Sequence, residues 1–204
     1  MMTESGAGDL FAALPEVDEQ AQRRLHARLA AAANDAGILD VAYRTVDTPV
    51  GALLLAATEV GLVRVAYPRE GHDRVLAALA DQVSPRILRA PARLDLAARE
   101  IEEYFAGLRS LFDLPLDFRL AHGFRRTVLS HLPGIGYGRT ASYAALAAAA
   151  GSPRAVRAVG TACATNPLPV VVPCHRVVRS DGSVGRYVGG VEAKKALLAL
   201  EAAA

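Results

Sequence analysis

The 204-residue sequence predicts an α/β N-terminal domain, built on a small antiparallel sheet with helices, and a mainly α C-terminal domain with a helix-turn-helix. Three observations predict this class. Strand-like segments separated by short turns fill residues 39–67, alanine-rich helical segments fill residues 124–164, and the composition shifts near Leu120. Hydrophobic residues make up 52% of the chain and charged residues 22%, which is typical of a globular protein.

Residues 1–38 are expected to form an N-terminal helical extension. After Pro15 the chain has no proline or glycine until Gly37, which is a typical helix C-cap, so one helix is predicted over residues 15–36. No cluster of side chains in this extension suggests chemistry.

Residues 39–118 are predicted to form the α/β domain. The segments "LDVAYRTV", "VGALLLAAT" and "GLVRVAYP" follow one another with turn residues between them, which predicts a three-stranded antiparallel meander. Helices are expected over residues 74–82 and 94–107, and "LFDLPLDF" is expected to be a short strand or an extended linker.

Residues 119–204 are predicted to form the second domain, with a helix-turn-helix at its centre. Ser142 is expected to cap a helix that runs to Gly151, and Ser152 is expected to cap a second helix with Pro153 at its first position. The spacing of that second helix predicts a core-facing side formed by Val156, Val159, Gly160 and Cys163. Its remaining sides are predicted to hold two arginines and a threonine, with small alanines beside them: Arg154, Arg157, Thr161, Ala155, Ala158 and Ala162.

The charge of this region is one-sided, because residues 119–179 contain eight arginines and neither aspartate nor glutamate. Such a surface suits a polyanion, although a solvated basic face is an equal alternative on this observation alone. Small side chains beside arginines would let the helix approach a phosphate-lined groove closely, and shallow insertion suits a minor groove.

The sequence shows no sign of a membrane or secreted protein. No apolar run approaches the roughly 20 residues of a membrane span, and the N-terminus lacks the pattern of a signal peptide. We therefore expect a cytoplasmic protein without a membrane partner, in which the two cysteines stay reduced.

Cys174 and His175 stand side by side in "VVVPCHRVV", where the cysteine could be a nucleophile, a metal ligand or a core residue. The two cysteines and five histidines lack the spacing of a zinc site, so no metal and no cofactor are expected. A nucleophilic thiol needs a base, and neighbours on a strand point to opposite faces, so His175 could act only across a turn or through a water. Glu201 could orient His175 or could be a solvated residue near the C-terminus.

The stretch "NPLPVVVPCHRVVRSDGSVGRYVGG", followed by "KKALLALE", resembles the active-site region of the O6-alkylguanine-DNA alkyltransferases. The resemblance extends back through "SYAALAAAAGSPRAVRAVGTA" and covers about residues 124–201. The combination of Asn-Pro, Pro-Cys-His-Arg-Val and Tyr-x-Gly-Gly at these spacings is highly specific.

The resemblance implies a catalytic set. Cys174 would accept the alkyl group in a single-turnover reaction, and His175 would act through a bridging water as the base that forms the thiolate. Glu201 would orient His175, Asn166 would brace the turn that presents the cysteine, and Tyr143 would donate a proton to the departing guanine.

The resemblance also implies a partner, which is double-stranded DNA containing O6-alkylguanine, and O4-alkylthymine as a further substrate. Arg157 would fill the gap left by the flipped nucleotide. The expected minor-groove interface comprises Arg157, Ala155, Ala158, Arg154, Thr161 and Arg176. The expected base pocket comprises Tyr187, Val188, Pro169 and Val177. Val188 stands where serine or alanine is frequent in the family, which would narrow the pocket. A monomer is expected in solution, and cooperative assembly on DNA stays open.

Two other functions compete with this one. A non-catalytic alkylated-base-binding or regulatory protein would lack the acceptor, so the presence of Cys174 argues against it. A cysteine hydrolase is disfavoured because no acyl-substrate motif accompanies the Cys-His pair.

Overall fold

The computed structural model describes residues 18–203, and residues 1–17 and 204 lie outside the described part. The beginning of the predicted N-terminal helix, residues 15–17, is therefore not covered. The helices are α1 (Glu19–Asp35), α2 (His72–Gln82), α3 (Asp95–Phe105), α4 (Gly123–His131), α5 (Tyr143–Ala149), α6 (Val156–Ala164) and α7 (Val191–Ala202). The strands are β1 (Val41–Val46), β2 (Leu53–Ala57), β3 (Leu62–Ala66), β4 (Ile87–Arg89), β5 (Ala141–Ser142) and β6 (Val177–Val178). Short 3₁₀ turns span Pro68–Glu70, Pro91–Leu94, Leu132–Gly134 and Cys174–Arg176.

The N-terminal sheet has the strand order β3-β2-β1-β4. The antiparallel meander of β1, β2 and β3 is confirmed, whereas β4 pairs in parallel with β1 and makes the sheet mixed. The strand β4 was not predicted, because three residues after Ser84 and Pro85 are too few to show a strand pattern. One face of the sheet packs on α2, through an apolar cluster that includes Leu54, Val63 and Leu79.

The other face of the sheet belongs to a larger apolar cluster that includes residues of α3 and of the whole C-terminal region. Tyr67 at the end of β3 and Tyr104 on α3 lie in this shared core beside Cys174 and Leu197. The backbone N–H of Val65 also donates to the carbonyl of Pro167, at 2.8 Å. The two halves of the chain therefore pack against each other through the region that contains the Cys-His pair.

The helix α1 begins after Asp18, whose side chain accepts a hydrogen bond from the N–H of Gln20 at 2.9 Å. Gly37 follows the helix with a φ of +65°, as expected of a C-capping glycine. Ala30 and Ala33 are buried. A histidine of this helix, His26, hydrogen-bonds the carbonyl of Arg89 at 2.7 Å, so α1 packs beside β4.

The helix-turn-helix consists of α5 and α6, and Ser142 caps α5 as predicted, accepting from the N–H of Ala145 at 3.0 Å. The predicted start of the second helix is wrong. Residues 152–155 form a turn closed by the bond from Ala155 N to Ser152 O at 2.8 Å, and α6 begins only at Val156. Ser152 and Pro153 close this turn instead of starting the helix.

The buried face of α6 also differs from the prediction. Val159 and Cys163 face the core, but Val156 is 37% exposed and Ala162 is 2% exposed. At 100° per residue, Ala162 lies about 60° from Val159 on the helix surface, as Val156 does on the other side. The small methyl of Ala162 fits between the helices, whereas Val156 lies in the first turn, which is mostly exposed.

Candidate active site

The Cys174–Arg176 turn is placed between two short strands and the last helix. The strand β6 follows it directly and pairs in parallel with β5, with Ala141 opposite Val177 and Ser142 opposite Val178. In this parallel register Tyr143, which follows β5, lies level with the end of β6 that is farther from the turn. The 3₁₀ conformation of residues 174–176 supplies the local turn that a cooperation between Cys174 and His175 requires.

Asn166 holds the loop that leads to Cys174. Its side-chain amide donates to the carbonyl of Val172 at 2.8 Å and to the Sγ of Cys174 at 3.1 Å. Its Oδ1 accepts from the N–H of Leu168 at 2.9 Å. The loop contains Val170 at a φ of +73°, which is unfavourable for a β-branched residue and persists only where the surroundings impose it. The three bonds of the buried Asn166 are part of those surroundings.

Glu201 is the centre of a buried polar network. Its Oε1 accepts from the hydroxyl of Tyr104 at 2.7 Å and is 2.8 Å from His175 Nε2. The guanidinium of Arg176 binds both carboxylate oxygens, with its Nε 2.9 Å from Oε2 and its Nη2 2.9 Å from Oε1. The N–H of Gly138 donates to Oε2 at 3.2 Å. Burial would raise the pKa of Glu201, but the bonds from His175 and Arg176 outweigh it and lower this pKa to about 2.

The ionised Glu201 determines which nitrogen of His175 is free. Because a carboxylate only accepts hydrogen bonds, Nε2 carries the proton and Nδ1 has the lone pair of a base. The Nδ1 atom is buried and has no hydrogen-bond partner among the described residues. Burial lowers the pKa of His175, and the bond with Glu201 offsets this only in part, so the neutral imidazole is favoured.

The Cys174 thiol is itself buried, with 1% of the residue exposed. Burial raises its pKa to about 11, although the bond from Asn166 and the charge of Lys194 act in the opposite direction. The thiol is therefore protonated at neutral pH in this structure. A reaction at the sulfur needs a base beside it, and the free nitrogen of His175 is suited to that role.

Tyr143 is half-buried beside Gly185 and Lys194. Burial raises the pKa of its hydroxyl to about 12, so the group keeps its proton and can donate it. A Cβ at Gly185 would lie 2.4 Å from this hydroxyl, so a larger residue at that position would displace the tyrosine. The ammonium of Lys194 lies 5.8 Å from the centre of the Tyr143 ring and donates to the carbonyl of Val177.

Three of the four residues expected to form the base pocket are closed to solvent. Pro169, Val177 and Tyr187 are buried, while Val188 is half-buried. The hydroxyl of Tyr187 lies 2.9 Å from that of Tyr67, which comes from the N-terminal domain. Val188 lines a cavity of about 480 Å³.

The outward face of α6 presents the side chains expected to meet DNA. Arg157, Ala158 and Thr161 are exposed there, Arg154 is exposed in the preceding turn, and Ala155 is half-buried. Arg176, which was expected in the same interface, is not on the surface. Only 4% of it is exposed, because its guanidinium neutralises the buried Glu201 and its Nη1 donates to Ile135 O at 2.6 Å.

Three residues of the site were not identified from the sequence: Tyr67, Tyr104 and Lys194. Tyr104 falls within the helix predicted over residues 94–107, and nothing in the local pattern shows what its hydroxyl meets. Lys194 could have been found, since Lys194, Leu197 and Glu201 follow an i, i+3, i+7 spacing and all three are buried on α7.

Residues 18–203 contain no group of three or more His, Cys, Asp or Glu side chains placed to hold a metal ion. None of the helices in this part of the chain is long and apolar enough to cross a membrane.

Comparisons with known proteins agree with one another. The profile of the 6-O-methylguanine DNA methyltransferase ribonuclease-like domain matches residues 41–118, and that of the DNA binding domain matches residues 123–203. The methylated-DNA–protein-cysteine methyltransferase of Mycolicibacterium paratuberculosis is 38% identical over 161 residues, which are 79% of this chain and 92% of the relative. The constitutive enzyme of that name from Bacillus subtilis is 38% identical over 156 residues, or 76% of this chain and 92% of the relative.

A solved structure extends the comparison to the fold. The crystal structure of Mycobacterium tuberculosis OGT in complex with DNA superposes with a TM-score of 0.67 at 36% identity. The match covers 79% of this chain and 93% of that one.

Proposed function

The chain belongs to the 6-O-methylguanine DNA methyltransferase family, and from this premise we propose that Cys174 is the sulfur to which the alkyl group moves. The protein binds DNA and is a methylated-DNA–protein-cysteine methyltransferase of direct-reversal repair. The observation that carries the assignment of the acceptor is the position of Cys174, whose Sγ is held by Asn166 beside the His175–Glu201 pair. Cys163, the other cysteine, is buried on α6.

The proposed reaction begins with the thiol proton, which passes to Nδ1 of His175 through a bridging water. The resulting imidazolium is stabilised by Glu201 on its opposite side. The thiolate forms a bond from Sγ to the alkyl carbon, and the bond from that carbon to guanine O6 breaks. The electron pair returns to the guanine, which takes a proton from the hydroxyl of Tyr143. Since the thioether has no base-catalysed route back to a thiol, each molecule reacts once.

The proposed substrate is O6-alkylguanine in double-stranded DNA, with O4-alkylthymine as a second one. An adduct in the base stack cannot reach the buried Cys174, so the nucleotide has to be flipped out of the duplex. Exposed Arg157 on α6, exposed Arg154 in the preceding turn and the small side chains beside them support an approach through the minor groove, with Arg157 in the gap left by the flipped base. We expect a monomer in solution, which size-exclusion chromatography with light scattering checks.

We assign a separate role to each of the three segments of the chain. We propose that residues 119–204 bind DNA and hold the alkyl acceptor, that residues 39–118 form a supporting α/β domain, and that residues 1–38 are an extension. The hydrogen bonds from Tyr67 and Tyr104 into the C-terminal half support a role for the α/β domain in shaping the site.

The test uses duplex DNA with a single O6-methylguanine labelled in its methyl group. We expect about one label per protein molecule, carried on Cys174 in the peptide map, with no further turnover. Cys174→Ser should accept no label. The matched control is Cys163→Ala, which removes the other buried thiol and should react as the parent protein does. Label on Cys163, or multiple turnover, would overturn the assignment.

A further inference from the structure

We propose that Tyr104, on α3 of the N-terminal domain, is a positioning residue that fixes the Glu201 carboxylate against His175. This role rests on the proposed reaction at Cys174. Its hydroxyl donates to Oε1 of Glu201 at 2.7 Å, and the same oxygen faces Nε2 of His175 at 2.8 Å. A residue of the supporting domain is thereby part of the catalytic network.

The packing of Tyr104 leaves its hydroxyl little freedom. The residue is fully buried, and its ring lies 5.3 Å from the centres of the Phe105 and Phe112 rings and 6.1 Å from that of Tyr137. Because the ring is enclosed on these sides, the hydroxyl is held at Glu201 and 3.5 Å from His175 Nε2. A buried tyrosine hydroxyl needs a partner, and here the partner is a carboxylate.

Three residues donate to Oε1 of Glu201 and two donate to Oε2. Arg176 spans both oxygens, Gly138 N–H donates to Oε2, and Tyr104 and His175 share Oε1. Without the hydroxyl of Tyr104, Oε1 keeps only His175 and the guanidinium, and the carboxylate can turn about its terminal bond. Such a turn would move the imidazole and its free Nδ1 relative to Cys174.

The hydrogen bond from the Tyr104 hydroxyl also stabilises the negative charge on Oε1 of Glu201. The charged and titratable groups around the pair are Arg176, Lys194, Tyr104 and Tyr137, and the two cations already disfavour an imidazolium at His175. Removing the donor from Oε1 leaves more of the carboxylate charge to His175 and stabilises the imidazolium. Tyr104→Phe should therefore raise the pKa of His175 and slow the transfer at neutral pH.

The matched control is Tyr137→Phe. Tyr137 belongs to the same aromatic cluster and lies under the Arg176 guanidinium, 5.7 Å from the ring centre, but its buried hydroxyl has no partner among the described residues. Each variant removes one phenolic oxygen, and both oxygens belong to the same aromatic cluster. Only Tyr104→Phe loses a bond to Glu201.

The experiment measures single-turnover methyl transfer between pH 5 and 9, affinity for undamaged duplex, and the titration of His175 by NMR. For Tyr104→Phe we expect a rate at neutral pH that is lower by roughly tenfold, the worth of one hydrogen bond to a charged group. We also expect an acid limb displaced to higher pH and an unchanged DNA affinity. Tyr137→Phe should match the parent protein in all three readouts.

Identical rates and identical His175 titrations in the two variants would overturn the proposal, since Tyr104 would then be only a core aromatic residue. A slower rate in both variants, with no displacement of the acid limb, would also overturn it. Failure of the parent protein to transfer label would instead refute the reaction at Cys174, and the NMR titration would still decide whether Tyr104 acts on His175.

Discussion

The network around Glu201 and the outward face of α6 hold their charged side chains in opposite ways. Arg176 is 4% exposed and binds both oxygens of one carboxylate, and His175 and Tyr104 complete the same shell. On α6, Arg157 is exposed, and neither it nor Arg154 forms an ion pair within the described residues.

This difference separates two tasks. The chemical groups are positioned before any substrate arrives, because burial makes every unsatisfied charge costly and the fold has to pair them. Arg157 on α6 and Arg154 in the turn before it remain hydrated until a polyanion replaces the water. Changes in the first region should therefore affect stability and chemistry without affecting DNA affinity, and changes in the second should affect DNA binding and base flipping without affecting stability.

The largest effect is expected from Glu201→Ala, which leaves Arg176 buried without its carboxylate. Breaking a buried pair from one side costs about 3–5 kcal/mol of the free energy of unfolding, measured here by urea denaturation at pH 7. The matched control is Glu192→Ala on the same helix, because Glu192 is exposed and pairs only with exposed Lys195 at 3.1 Å. That control should cost less than about 1 kcal/mol. Equal losses in the two variants would contradict the comparison.

The same network should respond to acid through Glu201. The pKa of this carboxyl is about 2 in the folded protein, against 4.5 for a free glutamate side chain. A lowered carboxyl pKa gives stability that is complete above pH 4.5 and is lost as the pH falls toward 2. The loss should amount to about 3 kcal/mol. The lowered pKa of His175 makes a separate contribution in the same direction, which begins below about pH 6.5.

The measurement compares the free energy of unfolding of the parent protein and Glu201→Gln at several values between pH 7 and pH 3. The difference between the two should shrink as the pH falls below 4.5, because the parent protein then loses the ionised carboxylate that the variant lacks. A difference that stays constant to pH 3 would show that Glu201 is not ionised in the native state.

For the second region, Arg157→Ala should slow transfer from duplex DNA by roughly 30-fold, since the flipped state would lose part of a stabilisation worth a few kcal/mol. The free energy of unfolding should stay within about 0.5 kcal/mol of the parent value, as is usual for an exposed site. Single-stranded substrate, which needs less flipping, should be affected less. The control is Arg99→Ala, an exposed arginine of α3 whose ion pair with Glu103 spans 3.8 Å. An equal loss on single- and double-stranded substrate would contradict a role in flipping.

Some elements of the fold could be predicted from the sequence and others could not. The meander, the capping of α5 by Ser142 and the family were predictable, because they depend on local periodicity or on the residues of a contiguous motif. The start of α6 was wrong, because Ser152 and Pro153 fit a helix start and a turn equally well. The short β4 has too few residues to show any period.

Site residues could be predicted where they belong to the contiguous motif. They could not be predicted where they come from a distant segment of the chain. Tyr104 lies 97 residues before Glu201 in the chain, and its helix pattern indicates only a core position. Arg176 was predicted in the DNA interface, and only the fold shows that a buried carboxylate binds it. Burial of a charge depends on its partner, and the partner is set by tertiary packing.

The smallest effect is expected at Val188, which is half-buried in the segment expected to form the wall of the base pocket. Val188→Ala removes two methyl groups from this wall, so benzyl transfer from O6-benzylguanine DNA should become about tenfold faster, the scale of one methylene in a pocket. Methyl transfer should change little, because a methyl adduct does not reach the enlarged space.

The control is Val191→Ala, three residues further on and 44% exposed, which should alter neither rate. Equal acceleration of methyl and benzyl transfer would contradict this prediction, because it would show that Val188 affects the mobility of the segment and not the width of the pocket.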